Sequence, residues 1–136
     1  MAFKIEWRPV LQPIPLREYH EGYGKETIMV CVNPTREFMQ DRNELIQKNR
    51  ELTEAMNKAG TEDEKIARPR EYLQWYSETF LPKMQDWFAR LWSYGSDQWT
   101  ADDLNAMHET DAHLLEWLKN RSMEMIVVHA RGIKKN

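Results

Sequence analysis

Cysteine is nearly missing from this chain. Cys31 stands alone, so no internal disulfide can form and a stapled secreted scaffold is excluded. Its apolar, strand-like neighbours suggest a small buried side chain in place of a reactive thiol. Glycine is also scarce, with five in 136 residues. Gly22-Tyr23-Gly24 lacks both the third glycine and the following helix of a phosphate-binding loop. Long apolar runs are absent too. The longest, Ile28 to Val32, falls far short of the ~20 residues a membrane helix needs. Glu6 and Arg8 interrupt the stretch that a secretory signal would keep apolar, and the expectation is a cytoplasmic protein without a membrane span. Neither charge sign dominates. The 19 basic and 22 acidic residues leave a net charge of −3, and the basic clusters are limited to Arg68-Pro69-Arg70 and Arg131 to Lys135, so no nucleic-acid face is expected.

Catalytic patterns are missing in the same way. There is no Gly-x-Ser-x-Gly elbow, and Cys31 has no local base. His108 and His113 are five residues apart where a helical zinc motif needs four, which turns the second ring roughly 140° from the first. Acidic runs such as Glu62-Asp63-Glu64 and Asp102-Asp103 are what any solvated helix carries. No catalytic residue, metal ligand or cofactor site is nominated. An enzyme is not the expected reading.

What remains is a chain of 41% hydrophobic and 30% charged residues, a globular composition. Its length suits one domain that buries roughly two-thirds of its unfolded surface. The expected fold class is mainly α with a small N-terminal β-hairpin or sheet (α+β). Residues 1–33 form the extended or β region, 34–60 a charged amphipathic helix, and 70–132 an aromatic-rich helical region. Phe3 to Leu11 alternates as a strand, with Phe3, Ile5 and Trp7 on one face, and Pro9, Pro13 and Pro15 push it towards an edge or an extended arm. Gly22 and Gly24 punctuate a turn before a second strand over Glu26 to Val32.

Asn33-Pro34 reads as a helix start, with Asn as the cap and Pro where a missing N–H costs nothing. The helix should run to about Ala59. Phe38, Leu45, Leu52 and Ala59 recur every seven residues, a narrow stripe suited to packing on one partner element, in this chain or in another copy. Thr61 to Arg68 reads as a polar loop or single turn, with Pro69 opening the next helix. From Arg70 to Tyr94, the apolar residues Leu73, Tyr76, Phe80, Met84, Trp87 and Leu91 keep helical phase across Pro82, where a kink or a break is expected. Thr100 with Asp103 makes a capping-box-like start for a helix at Ala101, with Trp99 and Leu104 placed as a hydrophobic staple. Asp111 can cap a last helix ending near Gly132, before a frayed tail.

Aromatic density is the unusual feature. Trp75, Tyr76, Phe80, Trp87, Phe88, Trp92, Tyr94 and Trp99 fall close together. Part of this set must build a core, yet Trp75, Phe88 and Trp92 also project to other sides of a helix. Trp and Tyr are the residues that anchor protein interfaces. The partner-binding candidates are therefore Trp75, Tyr76, Trp87, Phe88, Trp92, Trp99 and Trp117.

The order of features carries a resemblance. Glu26-Thr-Ile-Met-Val-Cys-Val-Asn-Pro34, Trp87-Phe-Ala-Arg-Leu-Trp92, Trp99-Thr-Ala-Asp-Asp-Leu104 and Trp117-Leu-Lys-Asn-Arg121 together resemble the phage tail assembly chaperones of siphoviruses. The match is one of arrangement, and the charged Glu44 to Arg70 region is longer than the family pattern. The resemblance implies a viral protein acting in the host cell cytoplasm that binds the tape-measure protein, keeps it soluble and helps tail-tube subunits assemble. It implies no enzymatic activity. Such genes often carry a programmed frameshift near their end, and Lys134-Lys135-Asn136 is compatible with an A-rich slippery run. Two other readings stand beside it. One is a virion structural, neck or tail protein that self-assembles as a homo-oligomer, and the other is a small inhibitor or regulator of a host protein.

Overall fold

Prolines decide where the sheet forms. In this computed structural model, which describes residues 5–95 and 97–135, strand β1 (Leu11–Pro15) pairs antiparallel with β2 (Thr27–Cys31), with Leu11 opposite Cys31 and Pro15 opposite Thr27. The Val32 amide donates to the Val10 carbonyl and the Leu16 amide to the Glu26 carbonyl, each at 2.9 Å. These bonds place the inward-pointing amides at even positions 10, 12, 14 and 16. Pro9, Pro13 and Pro15 therefore take outward positions and remove no bond from the ladder.

The strand expected over Phe3 to Leu11 is thus displaced: Ile5 to Val10 is an extended arm, and pairing begins at Leu11. Phe3 lies outside the described residues. The side chains of Ile14, Ile28, Val30 and Val32 are buried. Two 3-10 turns, Leu16–Glu18 and Glu21–Tyr23, join the strands, and Gly24 at φ 61° supplies the left-handed residue that closes the second.

The remaining regular structure is helical: α1 (Arg36–Asn57), α2 (Glu62–Trp75), a π-helical turn (Tyr76–Phe80), α3 (Leu81–Trp92), α4 (Ala101–Thr110) and α5 (Ala112–Lys135). The protein is mainly α with a small N-terminal antiparallel sheet. Contacts group the chain into two compact units, Met1–Thr35 with Phe88–Asn136, and Arg36–Trp87.

Within the first unit, Leu104, Leu115 and Leu118 are fully buried beside Leu91 and Trp92. A hydrogen-bond chain crosses this interior. The Trp92 indole Nε1 donates to Ser122 Oγ at 3.0 Å, and Ser122 Oγ donates to the Leu118 carbonyl at 2.7 Å. The capping box anticipated at the start of α4 is present: the Asp103 amide donates to Thr100 Oγ1 and the Thr100 amide to Asp103 Oδ2. Gly95 allows a close approach, since a Cβ there would stand 2.7 Å from Met29 Cβ. Helix α5 runs past Gly132 to Lys135, so the frayed tail expected from residue 133 is helical backbone as far as it is described.

Two expectations fail in the second unit for identifiable reasons. Thr61 to Arg68 is no loop, because Thr61 Oγ1 caps α2 by accepting the Glu64 amide at 3.1 Å. The carboxylates of Glu62, Asp63 and Glu64 also favour the positive end of the helix. Pro69 lies inside α2, where it forfeits one backbone bond and does not open the helix.

At Pro82 the helix answers with the π turn. The Leu81 amide reaches back five residues to the Tyr76 carbonyl. The wider turn relieves the clash that a proline ring makes with the carbonyl four residues earlier. It also fixes the register of α3. Met84, Trp87, Phe88, Leu91 and Trp92 point inward and Lys83, Asp86 and Arg90 outward.

Ser122→Ala is expected to cost about 1–3 kcal/mol in urea unfolding, because it leaves the Trp92 N–H buried without its acceptor. In the Trp92→Phe/Ser122→Ala double variant, the loss should be smaller than the sum of the two single losses. Strict additivity would remove the bond from the account of stability.

Candidate functional site

The seven aromatic candidates separate by burial. Trp87, Phe88 and Trp92 are at most 2% exposed, so their rings are committed to the interior. Trp87 stacks on Phe38 with centroids 4.5 Å apart, and its Nε1 donates to the Phe38 carbonyl at 2.7 Å. Arg42, half-buried, lies over the same ring at 5.8 Å, and burial lowers its pKa. Phe88 and Trp92 pack together at 5.8 Å, with the Lys119 ammonium 5.5 Å from the Phe88 centroid. Aromatic surface available to a partner lies in three places, two of which carry candidates: Trp75 with Tyr76, and Trp117.

One is a ledge in the unit Arg36–Trp87. Tyr72, Trp75, Tyr76 and Phe80 form a connected set of rings: Tyr72 to Trp75 at 6.4 Å, Tyr72 to Tyr76 at 6.0 Å, Trp75 to Phe80 at 5.3 Å and Tyr76 to Phe80 at 5.2 Å. Tyr76 is 37% exposed, and the other three are half-buried. The π turn begins at Tyr76 and ends at Phe80, which brings rings from successive turns together. Tyr72 pins the ledge to α1 through a 2.7 Å bond from its hydroxyl to Asn49 Oδ1. Periodicity alone gave Tyr76 and Phe80 but not Tyr72, which lies off the expected apolar stripe.

The other two lie in the unit that contains the sheet. Trp117 meets Tyr19 at 5.6 Å, and Tyr19 meets Tyr23 at 6.2 Å. Both tyrosine hydroxyls donate to Asp111, Tyr23 to Oδ2 at 3.0 Å and Tyr19 to Oδ1 at 3.4 Å, while Asp111 Oδ1 also accepts the Leu114 amide at 3.0 Å. The capping expected of Asp111 is therefore present, and it also ties the 3-10 turns to the start of α5. The Leu114 amide contributes most to holding the Asp111 carboxyl below its usual range, with help from Tyr23, Tyr19 and nearby His113, against an opposing effect of burial. The Tyr23 pKa is raised, first by its bond to Asp111, and that of Tyr19 first by burial.

The third surface was missed in the sequence. Trp7 and Tyr94 meet edge to face at 5.3 Å and are 41% and 38% exposed. Asn33 holds the arm that carries Trp7. Its carbonyl accepts the indole N–H at 2.7 Å, Oδ1 accepts the Val10 amide at 2.6 Å, and Nδ2 donates to the Arg8 carbonyl at 2.8 Å. Asn33 was expected to cap α1. Its side chain is spent on the arm instead, and the helix begins at Arg36. The Cys31 thiol also donates to Asn33 Oδ1 at 3.4 Å, and burial pushes its pKa up.

The remaining candidate, Trp99, is half-buried, edge-on to Trp92 at 5.9 Å. His108 and His113 sit on different helices, α4 and α5, with Asp111 at the break. Among the described residues, no group of three His, Cys, Asp or Glu side chains is gathered as a metal site, and no helix is long and apolar enough to cross a membrane. An open depression of about 500 Å³ follows the outer face of α1 from Arg36 to Gln47. It is lined by Met39 and by the stems and heads of Arg36, Gln40, Asn43, Glu44 and Gln47, with no aromatic ring.

Comparison with protein families, with curated proteins and with solved structures finds no match. The side-chain arrangement is therefore the basis for a functional reading.

The Asp111 junction gives a pH signature. A carboxyl whose folded pKa is depressed contributes stability that is present above its unfolded value and is lost as pH falls through the folded pKa. Thermal midpoints measured from pH 7 downward should fall more steeply for the wild type than for Asp111→Asn. Parallel curves would contradict the assignment. The raised tyrosine pKa values act on the alkaline side, where stability is lost as pH rises through them. Tyrosinate absorbance should show a late-titrating fraction that Asp111→Asn advances.

Proposed function

We propose that this protein works by binding another protein, as a chaperone-like accessory of phage tail assembly whose client is the long helical tape-measure protein. The observation that carries this reading is the ledge of Tyr72, Trp75, Tyr76 and Phe80. Half-exposed aromatic rings give a large apolar contact with little side-chain freedom to lose, and interfaces use them as anchors worth about 2 kcal/mol or more each. A ledge on a helix suits the apolar face of another helix, read through side chains three and four residues apart. Binding in this mode needs no catalytic group and no cofactor. The Trp7–Tyr94 and Tyr19–Trp117 pairs offer further contacts of the same kind. The host cell cytoplasm, where a tail is built before lysis, is the compartment this role requires.

Co-expression with the tape-measure protein of the same genome tests the reading. The wild type should raise the soluble fraction of that client several-fold. Trp75→Ala/Tyr76→Ala should abolish the effect while Trp117→Ala weakens it less. A client equally insoluble with and without the wild-type chain would overturn the proposal.

A further inference from the structure

None of the described residues 39–83 is buried, although α1 and α2 carry Leu45, Ile46, Leu52, Met56, Ile66 and Leu73. The α1 side chains in this set are half-buried, while Ile66 and Leu73 on α2 are 62% and 63% exposed. Two antiparallel helices can cover only one stripe on each other, and a hairpin of this kind is marginal in water unless a further layer closes it. We propose that the layer is a second copy of the same hairpin, packed face to face as an antiparallel four-helix bundle. The proposal is independent of the tape-measure reading.

Size and charge favour a second copy. The 22 residues of α1 make a helix about 33 Å long. With axes 8–10 Å apart, a two-helix face presents roughly 600 Å², so two copies bury about 1,200 Å², the lower bound for a specific interface. A single foreign helix would cover about half of that. Between Arg36 and Phe80 there are eight basic and ten acidic side chains, interleaved, so two copies do not repel strongly.

The pattern along α2 is self-complementary. Its first turn is acidic, Glu62 to Glu64, and its centre basic. An antiparallel pair of α2 helices crossing beside Ile66 sets Asp63 against Arg70 of the partner subunit and Arg70 against the partner's Asp63. Arg68 is already paired with Glu71 at 3.5 Å in the same helix. One two-fold contact thus covers Ile66 and satisfies both charges, as an isologous interface does.

Sedimentation equilibrium on the full chain, up to about 100 µM, reads this directly and covers dissociation constants in the micromolar range. The wild type should show twice the chain mass, and Ile66→Glu/Leu73→Glu, at exposed positions, the single mass with the far-UV helix signal of wild type diluted to monomer. Asp63→Arg should weaken dimerisation by about tenfold or more, and adding Arg70→Asp should restore it. A wild-type monomer throughout the range overturns the proposal, as does a dimer indifferent to the two glutamates. A monomer that gains mass only with a foreign helical protein also overturns it and gives the face to that partner.

Discussion

Pro82 cannot donate a backbone hydrogen bond, and its ring crowds the carbonyl of Glu78 in a regular α-helix. The chain meets this with one π turn, closed by the Leu81 amide on the Tyr76 carbonyl, and much else depends on that turn. Downstream, it sets the register in which Trp87, Phe88, Leu91 and Trp92 face inward. A slip of one residue would carry Lys83 and Asp86 to positions that are buried. Upstream, it gathers Trp75, Tyr76 and Phe80 into one ledge. A constraint imposed by a single residue thus supports both the packed interior and the aromatic surface.

Polar side chains join segments far apart in sequence. Asn33 fastens the arm through both ends of its amide and its own carbonyl. Asp111 collects two phenol hydroxyls and a helix amide, and Ser122 receives the Trp92 indole across the interior. Asn33 and Asp111 hold irregular backbone in place, and Ser122 gives a buried indole its acceptor. Each has its donors or acceptors matched, which spares the cost of a stranded polar group.

Much of the fold was legible in the sequence because local chemistry and periodicity agreed. Thr100 with Asp103 announced α4, Asp111 announced α5, and the strand over residues 26–32 was bounded by glycine on one side and Asn-Pro on the other. The failures came where two local rules competed. Asn33 has the chemistry of a helix cap, but a sequence cannot show that Arg8 and Val10 reach it first. Thr61-Glu62-Asp63-Glu64 carries a capping signal, but Pro69 downstream has the chemistry of a helix start as well, and the two compete.

The candidate site was half legible. Aromatic density located it, and helical phase placed Tyr76 and Phe80. Burial, which depends on the whole packing arrangement, then withdrew Trp87, Phe88 and Trp92. The pairing of Trp7 with Tyr94 spans 87 positions in the chain and leaves no local trace.

The spacing of Pro9, Pro13 and Pro15 has a meaning beyond the ladder it spares. A short sheet with a bare outer row of amides offers a template for edge-to-edge growth between neighbouring molecules. Along β1 the outward positions 9, 13 and 15 carry no donor and only Leu11 keeps one, so a foreign strand finds too few to pair with. The sheet can therefore stay at two strands along its β1 edge even where molecules crowd together.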